Sequence, residues 1–151
     1  MLEVRVRVFA ETAIKSLRAM ERRAADFTPV FRWAKKELER ANRDNFTASG
    51  LPVGGWSPLN SEYGAWKARE FPGAPIMQIS GKLFRSLASL DGSPNVISKT
   101  KAQFGTNVEY AKFHQYGTTK MPKRQIVYQP NGFSRTLARM AGEHIVYGEF
   151  Q

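Results

Sequence analysis

The stretch TPVFRWAKKELERANRDNFT, residues 28–47, organises the rest of the chain. Its apolar residues recur three and four positions apart, which is the spacing of one face of an α-helix. Thr28 is suited to cap the helix, and Pro29 is suited to its first turn. We therefore predict a helix of about 20 residues, roughly 30 Å long. The residues of its apolar face are Val30, Trp33, Ala34, Leu38 and Ala41.

Two further elements are predicted upstream of this helix. Residues 2–8 alternate apolar and charged side chains, a period of two that indicates a half-buried strand. Residues 11–25 return to a helical period, with an apolar stripe and basic residues elsewhere on the surface. The apolar positions are Leu2, Val4, Val6 and Val8 in the strand, and Ile14, Leu17, Met20 and Ala24 in the helix.

Downstream, residues 49–75 change character and are rich in glycine and proline. They predict a long loop with one short helix near residues 61–69, and long loops in compact domains are usually functional or mobile. Large aromatic side chains in this loop either fold back onto the domain or meet a partner, since aromatic residues are enriched at interfaces. The candidate interface residues are Trp56, Pro58, Leu59, Tyr63 and Trp66.

The second half of the chain predicts short elements. Ser80 is suited to cap a short amphipathic helix that ends near residues 91–92, with Leu83, Phe84 and Leu87 on its apolar face. Two short strands are expected around residues 99–102. VEYAKFHQYG, residues 108–117, predicts one or two helical turns ended by a left-handed Gly117.

RQIVYQ, residues 124–129, predicts a strand, and a last helix is expected to begin at Asn131 or Ser134. Residues 1–151 together predict a single α+β domain. We expect a small, mainly antiparallel sheet packed by the long N-terminal helices, with the loop at about 49–75.

Composition narrows the classes of protein that this chain can belong to. At 151 residues, one domain is expected. The absence of cysteine excludes disulfides, thiol catalysis and Cys-based zinc sites. No apolar run approaches the roughly 18 residues of a membrane span, and the N-terminus is unlike a signal peptide. The net charge of +10 predicts attraction to a polyanion or an acidic protein surface.

The sequence offers no catalytic constellation. His114 and His144 are the only histidines, and neither lies in a cluster with the ligand spacing of a metal site. No serine occupies a nucleophile-elbow pattern, and GLPVGGW lacks the spacing and the lysine of a phosphate-binding loop. We therefore expect a protein that is not an enzyme and has no metal or cofactor. A hydrolase or nuclease remains an alternative, tested by whether His114→Ala abolishes any reaction.

Five short motifs follow one another along the chain: GWSPL at residues 55–59, ISGKLFRS at 79–86, GTN at 105–107, YAKFHQYG at 110–117 and PKR at 122–124. Taken in this order, they resemble the phage virion morphogenesis family, which includes tail completion, tail terminator and neck proteins. The match covers roughly residues 54–128. Beyond Pro122 and Arg124, QIVYQPNGF stands where family members often have an aromatic-Leu-Gly stretch. The residues that carry the resemblance are Gly55, Trp56, Pro58 and Leu59; Ser80, Gly81, Leu83 and Ser86; Gly105, Thr106 and Asn107; Tyr110, Ala111, His114, Gln115, Tyr116 and Gly117; and Pro122 and Arg124.

The resemblance implies a structural virion protein of a tailed phage or prophage. It implies a homo-oligomeric ring, expected to be hexameric, at the head–tail junction or the head-proximal end of the tail. The implied partners are neighbouring neck and tail tube proteins, with contact to DNA in the channel and none with a membrane. The protein would be assembled in the host cytoplasm. His114 would then be part of a structural motif, and Tyr110, Phe113 and Tyr116 would pack on the sheet.

A basic nucleic-acid-binding protein is the alternative that the net charge favours. The sequence has no helix-turn-helix, no aromatic RNA-binding signature and no basic tail. Binding dominated by phosphate contacts would weaken steeply with ionic strength, and this dependence separates the two interpretations.

Overall fold

A computed structural model of the protein describes residues 10–92 and 94–150. The strand predicted at residues 2–8 lies outside these residues. In the part that is described, six α-helices and one two-stranded antiparallel sheet are present. The predicted α+β class is therefore confirmed. None of the described helices is long and apolar enough to cross a membrane.

The two long N-terminal helices are confirmed. Helix α1 spans Glu11–Ala24 and helix α2 spans Thr28–Thr47. The prediction that Thr28 caps α2 was wrong, because Thr28 is the first helical residue. Its backbone N–H instead donates to the carboxylate of Asp26, at 3.0 Å, so an aspartate two residues upstream satisfies this free end of the helix.

One side of α2 forms the main core. Phe46, near its C-terminal end, is 1% exposed and packs edge-on against Trp56 and Phe84, with ring centroids 5.2 and 5.5 Å away. This burial explains why a long helix is stable here, since packing of its apolar face supplies most of the stability of a helix in a protein. The other buried residues of this cluster are Leu83, Leu87, Leu90, Val108, Ala111 and Ile126.

The glycine- and proline-rich segment is more ordered than a plain loop. A 3₁₀ turn at Leu51–Val53 is followed by helix α3 at Ser61–Glu70, which confirms the predicted short helix. Asn60 caps α3 through its side-chain oxygen, which accepts from the Tyr63 N–H at 2.8 Å. The segment thus brings a helix onto the surface beside the core.

Helix α4 spans Lys82–Ala88 and buries Leu83 and Leu87, as predicted. Ser80 is not its N-cap, because Gly81 holds that position in a left-handed conformation. The Ser80 hydroxyl still accepts from the Lys82 N–H at 3.3 Å. Strands β1 and β2 follow and pair antiparallel on either side of residues 98–101, close to the predicted position; they span Val96–Ile97 and Ala102–Gln103.

Helix α5 spans Ala111–Tyr116, and the strand predicted after it, at residues 124–129, is not formed. Backbone groups of this segment bond to side chains instead of to a neighbouring strand. The Gln115 amide oxygen accepts from the N–H groups of Ile126 and Val127, both at 2.9 Å. The carbonyl of Gln125 accepts from Asn45 and Trp56, at 3.0 and 2.8 Å. The alternation of apolar residues at 124–129 therefore reflects the burial of Ile126, and it does not require hydrogen bonds to a neighbouring strand.

Helix α6 spans Phe133–Tyr147 and closes the fold, as predicted, although Gly132 precedes it as the N-cap. It packs against α1 and α2. At its C-terminal end the Arg23 guanidinium donates to the carbonyls of Ile145 and Val146, at 2.7 and 2.6 Å. These bonds satisfy carbonyls that have no partner within the helix.

Candidate functional site: a basic groove

A groove of about 750 Å³ lies between α3, α4, α5 and the segment that precedes Arg124. We call it the basic groove. Its volume lies within the range of about 300–1,000 Å³ that is typical of ligand pockets. The groove is lined by residues 57–60, 63, 67, 77–83, 110, 114, 120–122 and 124.

Arg124 forms part of the floor of the groove. It is 4% exposed, and its Nε and one Nη donate to the carbonyls of Ser57 and Pro58, both at 2.8 Å. Its backbone N–H donates to the His114 carbonyl at 2.8 Å. Arg124 therefore ties the GWSPL segment to the end of α5. Burial is the main cause that lowers the pKa of this guanidinium.

Lys67 is the second buried cation of the groove. It lies one helical turn after Tyr63 on α3, so both side chains face the groove. Lys67 is 4% exposed, and its ammonium donates to the Pro75 carbonyl. Burial lowers the pKa of this ammonium. Backbone carbonyl oxygens thus accept hydrogen bonds from both Lys67 and Arg124. A carbonyl is neutral, however, so these bonds do not neutralise the two positive charges.

Among the residues that the structure describes, no aspartate or glutamate lines the groove. Within residues 10–92 and 94–150, no carboxylate lies within ion-pair distance of Lys67 or Arg124, whereas Lys35 and Arg40 of α2 pair with nearby acids. Lys82 and Lys120 add two exposed cations to the rim. Buried charges in proteins are normally paired. The groove is therefore an electrostatically incomplete site with a positive potential.

His114 also lines the groove. Its Nδ1 is buried and has no hydrogen-bond partner, and its ring meets the Tyr110 ring edge-on at 6.0 Å. Burial, followed by the positive charge of Arg124, lowers the pKa of His114 below its usual value. At neutral pH the imidazole is therefore uncharged and offers one acceptor or one donor to the groove.

We expect acid to destabilise the protein through His114. Because its pKa is lower in the folded protein, the unfolded chain binds the proton more tightly. The contribution of His114 to stability is therefore complete above about pH 6.5 and is lost as the pH falls through the folded-state pKa. In urea titrations, wild type should lose more free energy of unfolding between about pH 7 and pH 5 than His114→Gln. Parallel pH profiles would show that this pKa is not depressed.

The structure brings together nine of the nineteen motif residues that the sequence singled out. Those that line the basic groove are Pro58, Leu59, Ser80, Gly81, Leu83, Tyr110, His114, Pro122 and Arg124. Motif residues outside the groove position the backbone around it. Gln115 holds the segment that follows Arg124, and the Gly105 N–H donates to the Asn95 side chain at 2.7 Å. Asn107 and Tyr116 are exposed, Tyr116 at 78%.

Two sequence interpretations need correction. Trp56 was assigned to a candidate interface, but it is 8% exposed and belongs to the core. Tyr110, Phe113 and Tyr116 were expected to pack on the sheet, but they are exposed at 40%, 45% and 78%. Their spacing places them on the solvent side of α5, because Ala111 is the residue of this helix that faces the core. Tyr63 and Trp66 remain exposed, at 42% and 39%.

Sequence reasoning missed the cations of the groove. Lys67, Lys82 and Lys120 lie far apart in the chain, and basic residues elsewhere are spread over the surface. The four-residue spacing of Tyr63 and Lys67 was the available signal that both share one face of α3. Their convergence on Arg124 depends on the path of the loops, which the sequence pattern does not encode.

The described residues contain no group of three or more His, Cys, Asp or Glu side chains that could hold a metal ion. No curated protein and no solved structure matches the chain. A family model does match: the phage virion morphogenesis family aligns with residues 9–142, which includes every motif residue and the whole basic groove. This is a structural and morphogenetic family, and its members are not typically enzymes. The chain therefore belongs to the phage virion morphogenesis family.

Proposed function

We propose that the protein is a ring-forming structural component at the head–tail junction or the head-proximal end of a phage tail. It would act there as a tail completion, terminator or neck protein. The observation that carries this proposal is the family match over residues 9–142, together with the convergence of nine motif residues on one groove. The mechanism is assembly: the subunit presents surfaces that neighbours cover.

Exposed apolar residues at separate places on the subunit support assembly into a ring. Leu17 on α1 is 63% exposed, and Tyr147 on α6 is 74% exposed. Trp66 and Phe71, which meet at a ring-centroid distance of 5.6 Å, form an exposed aromatic patch on and just after α3. A closed ring needs two different, complementary surfaces on each subunit. Apolar residues that are exposed in groups mark such surfaces.

The charge supports contact with DNA in the channel of such a ring. The net charge is +10, and exposed arginines and lysines lie on several helices, so the outer surface is positive in many places. Positive surfaces attract polyanions without reading a sequence. This contact would accompany assembly and would not by itself define the function.

Deleting the gene tests the proposal. A role at the junction predicts filled heads and free tails that fail to join when particles are imaged by electron microscopy. A role in termination predicts tails of uncontrolled length or no tails. Complementation with the wild-type gene should restore joined, infectious particles. Particles of normal form and infectivity from the deleted strain would contradict a structural role at either position.

A further inference from the structure

The basic groove lacks a partner that its chemistry calls for. Lys67 and Arg124 are each 4% exposed, they bond to backbone carbonyls, and no acidic side chain of the described residues lines the groove. Nδ1 of His114 is buried in the same groove and has no partner. Two buried cations and one unpartnered imidazole nitrogen at a single place are complementary to a carboxylate group.

We propose that the basic groove binds an extended acidic segment of another protein, with a carboxylate seated near Lys67, Arg124 and His114. This binding would not depend on where in the particle the protein lies. The partner would present a side-chain or terminal carboxylate flanked by apolar residues.

The apolar flanks are indicated by the walls of the groove and by its surroundings. Leu59, Met77 and Ile79 line it beside the cations. Tyr63 lies at its edge, and its ring stands 5.3 Å from that of Trp66, outside the groove. Aromatic residues and arginine are the side chains most enriched at binding hot spots. A segment that leaves the groove over Tyr63 would therefore meet the exposed aromatic patch.

Nucleic acid fits this site less well than a peptide. Phosphate contacts to a duplex come mainly from long, exposed side chains on a broad surface. Here Lys67 and Arg124 are almost completely buried, so a rigid duplex cannot reach them. A carboxylate on a flexible segment can enter a cavity of about 750 Å³.

A second copy of the chain also fits less well. The chain carries a net charge of +10, so a second copy would bring mainly positive charge to a positive groove. Several of its acidic side chains already pair with their own lysines and arginines: Glu37, Glu39, Glu70, Asp91 and Glu143. An acidic partner protein is therefore the favoured occupant.

The test is selection of a random dodecapeptide library on the purified protein, followed by titration of a fluorescein-labelled consensus peptide. We expect enriched peptides to contain Asp or Glu next to apolar residues. Changing that acid to its amide, or the protein by Lys67→Met, should weaken binding about tenfold or more, as expected for loss of one charge-assisted hydrogen bond. Lys120→Gln, on the exposed rim, should weaken binding severalfold without affecting the core.

Lys99→Gln is the matched control, because it removes the same charge from an exposed lysine that lines a different cavity. It should leave the affinity unchanged, and thermal denaturation should confirm that every variant is folded. Absence of enriched peptides would overturn the proposal. Enriched peptides without Asp or Glu would also overturn it, as would peptides whose affinity is unchanged by Lys67→Met and Lys120→Gln. If a short DNA duplex displaces the labelled peptide from wild type, and duplex binding is lost in Lys67→Met, the groove would be a phosphate site instead. Self-association that is lost in Lys120→Gln would assign it to a second copy.

Discussion

Trp56→Ala should destabilise the isolated subunit by about 3–5 kcal/mol, the usual cost of truncating a large buried aromatic residue. Trp56 packs edge-on against Phe46, at a ring-centroid distance of 5.2 Å, in the main core. Its indole N–H donates to the Gln125 carbonyl at 2.8 Å, so the mutation also removes a tie between the GWSPL loop and the segment after Arg124. For a chain of this length, such a loss corresponds to a fall in Tm of about 10 °C.

Trp66→Ala is the matched control, because it removes the same side chain from an exposed position. Trp66 is 39% exposed. Within the described residues, the aromatic rings that it contacts are those of Tyr63 and Phe71, which are its neighbours on and just after α3. Its loss should cost less than about 1 kcal/mol. Thermal or urea denaturation measures both variants. Equal losses for the two tryptophans would show that Trp56 is not part of the core.

A milder change separates the packing of Trp56 from its hydrogen bond. Trp56→Phe keeps an aromatic ring in the core but removes the indole N–H. The Gln125 carbonyl would still accept from Asn45 at 3.0 Å, so no buried acceptor is left without a partner. We therefore expect most of the stability lost in Trp56→Ala to be retained in Trp56→Phe.

The helices could be predicted from the sequence because their apolar spacing is local information. The period of α2 predicts its length, and burial of Val30, Ala34 and Ala41 confirms the face that was chosen. The fate of Trp56 could not be predicted in the same way. Its burial depends on Phe46 and Gln125, which lie 10 and 69 positions away along the chain, and the glycine-rich segment carries no period.

In the candidate site, too, local motifs could be predicted from the sequence and contacts between distant residues could not. Its motif residues were recognised individually, but their convergence results from the tie between Arg124 and the carbonyls of Ser57 and Pro58. The strand predicted at residues 124–129 failed for a related reason. An apolar alternation indicates burial on one side, but it does not say whether a strand or a side chain such as Gln115 satisfies the backbone.

Gly117→Ala should destabilise the protein by more than about 2 kcal/mol, because two costs coincide at this position. Gly117 has φ of 77° and ψ of 176°, a conformation that is almost confined to glycine and that costs other residues about 1–3 kcal/mol. A Cβ atom there would also lie 2.9 Å from the Lys123 backbone nitrogen and 3.2 Å from the Met121 carbonyl oxygen. Backbone atoms cannot move aside as a flexible side chain can.

Gly132→Ala is the control for backbone conformation alone. Gly132 has φ of 78°, close to that of Gly117, but apart from its two chain neighbours no residue has an atom within 4 Å of the position that its Cβ would occupy. It adopts the left-handed helical conformation, for which the cost is about 1–2 kcal/mol. Urea denaturation should therefore show a clearly larger loss for Gly117→Ala. A loss no greater than that of Gly132→Ala would mean that the 117–123 turn opens easily to admit a methyl group. The wall of the basic groove formed by residues 120–122 would then be adaptable, whereas a large difference would show that this turn holds the wall in place.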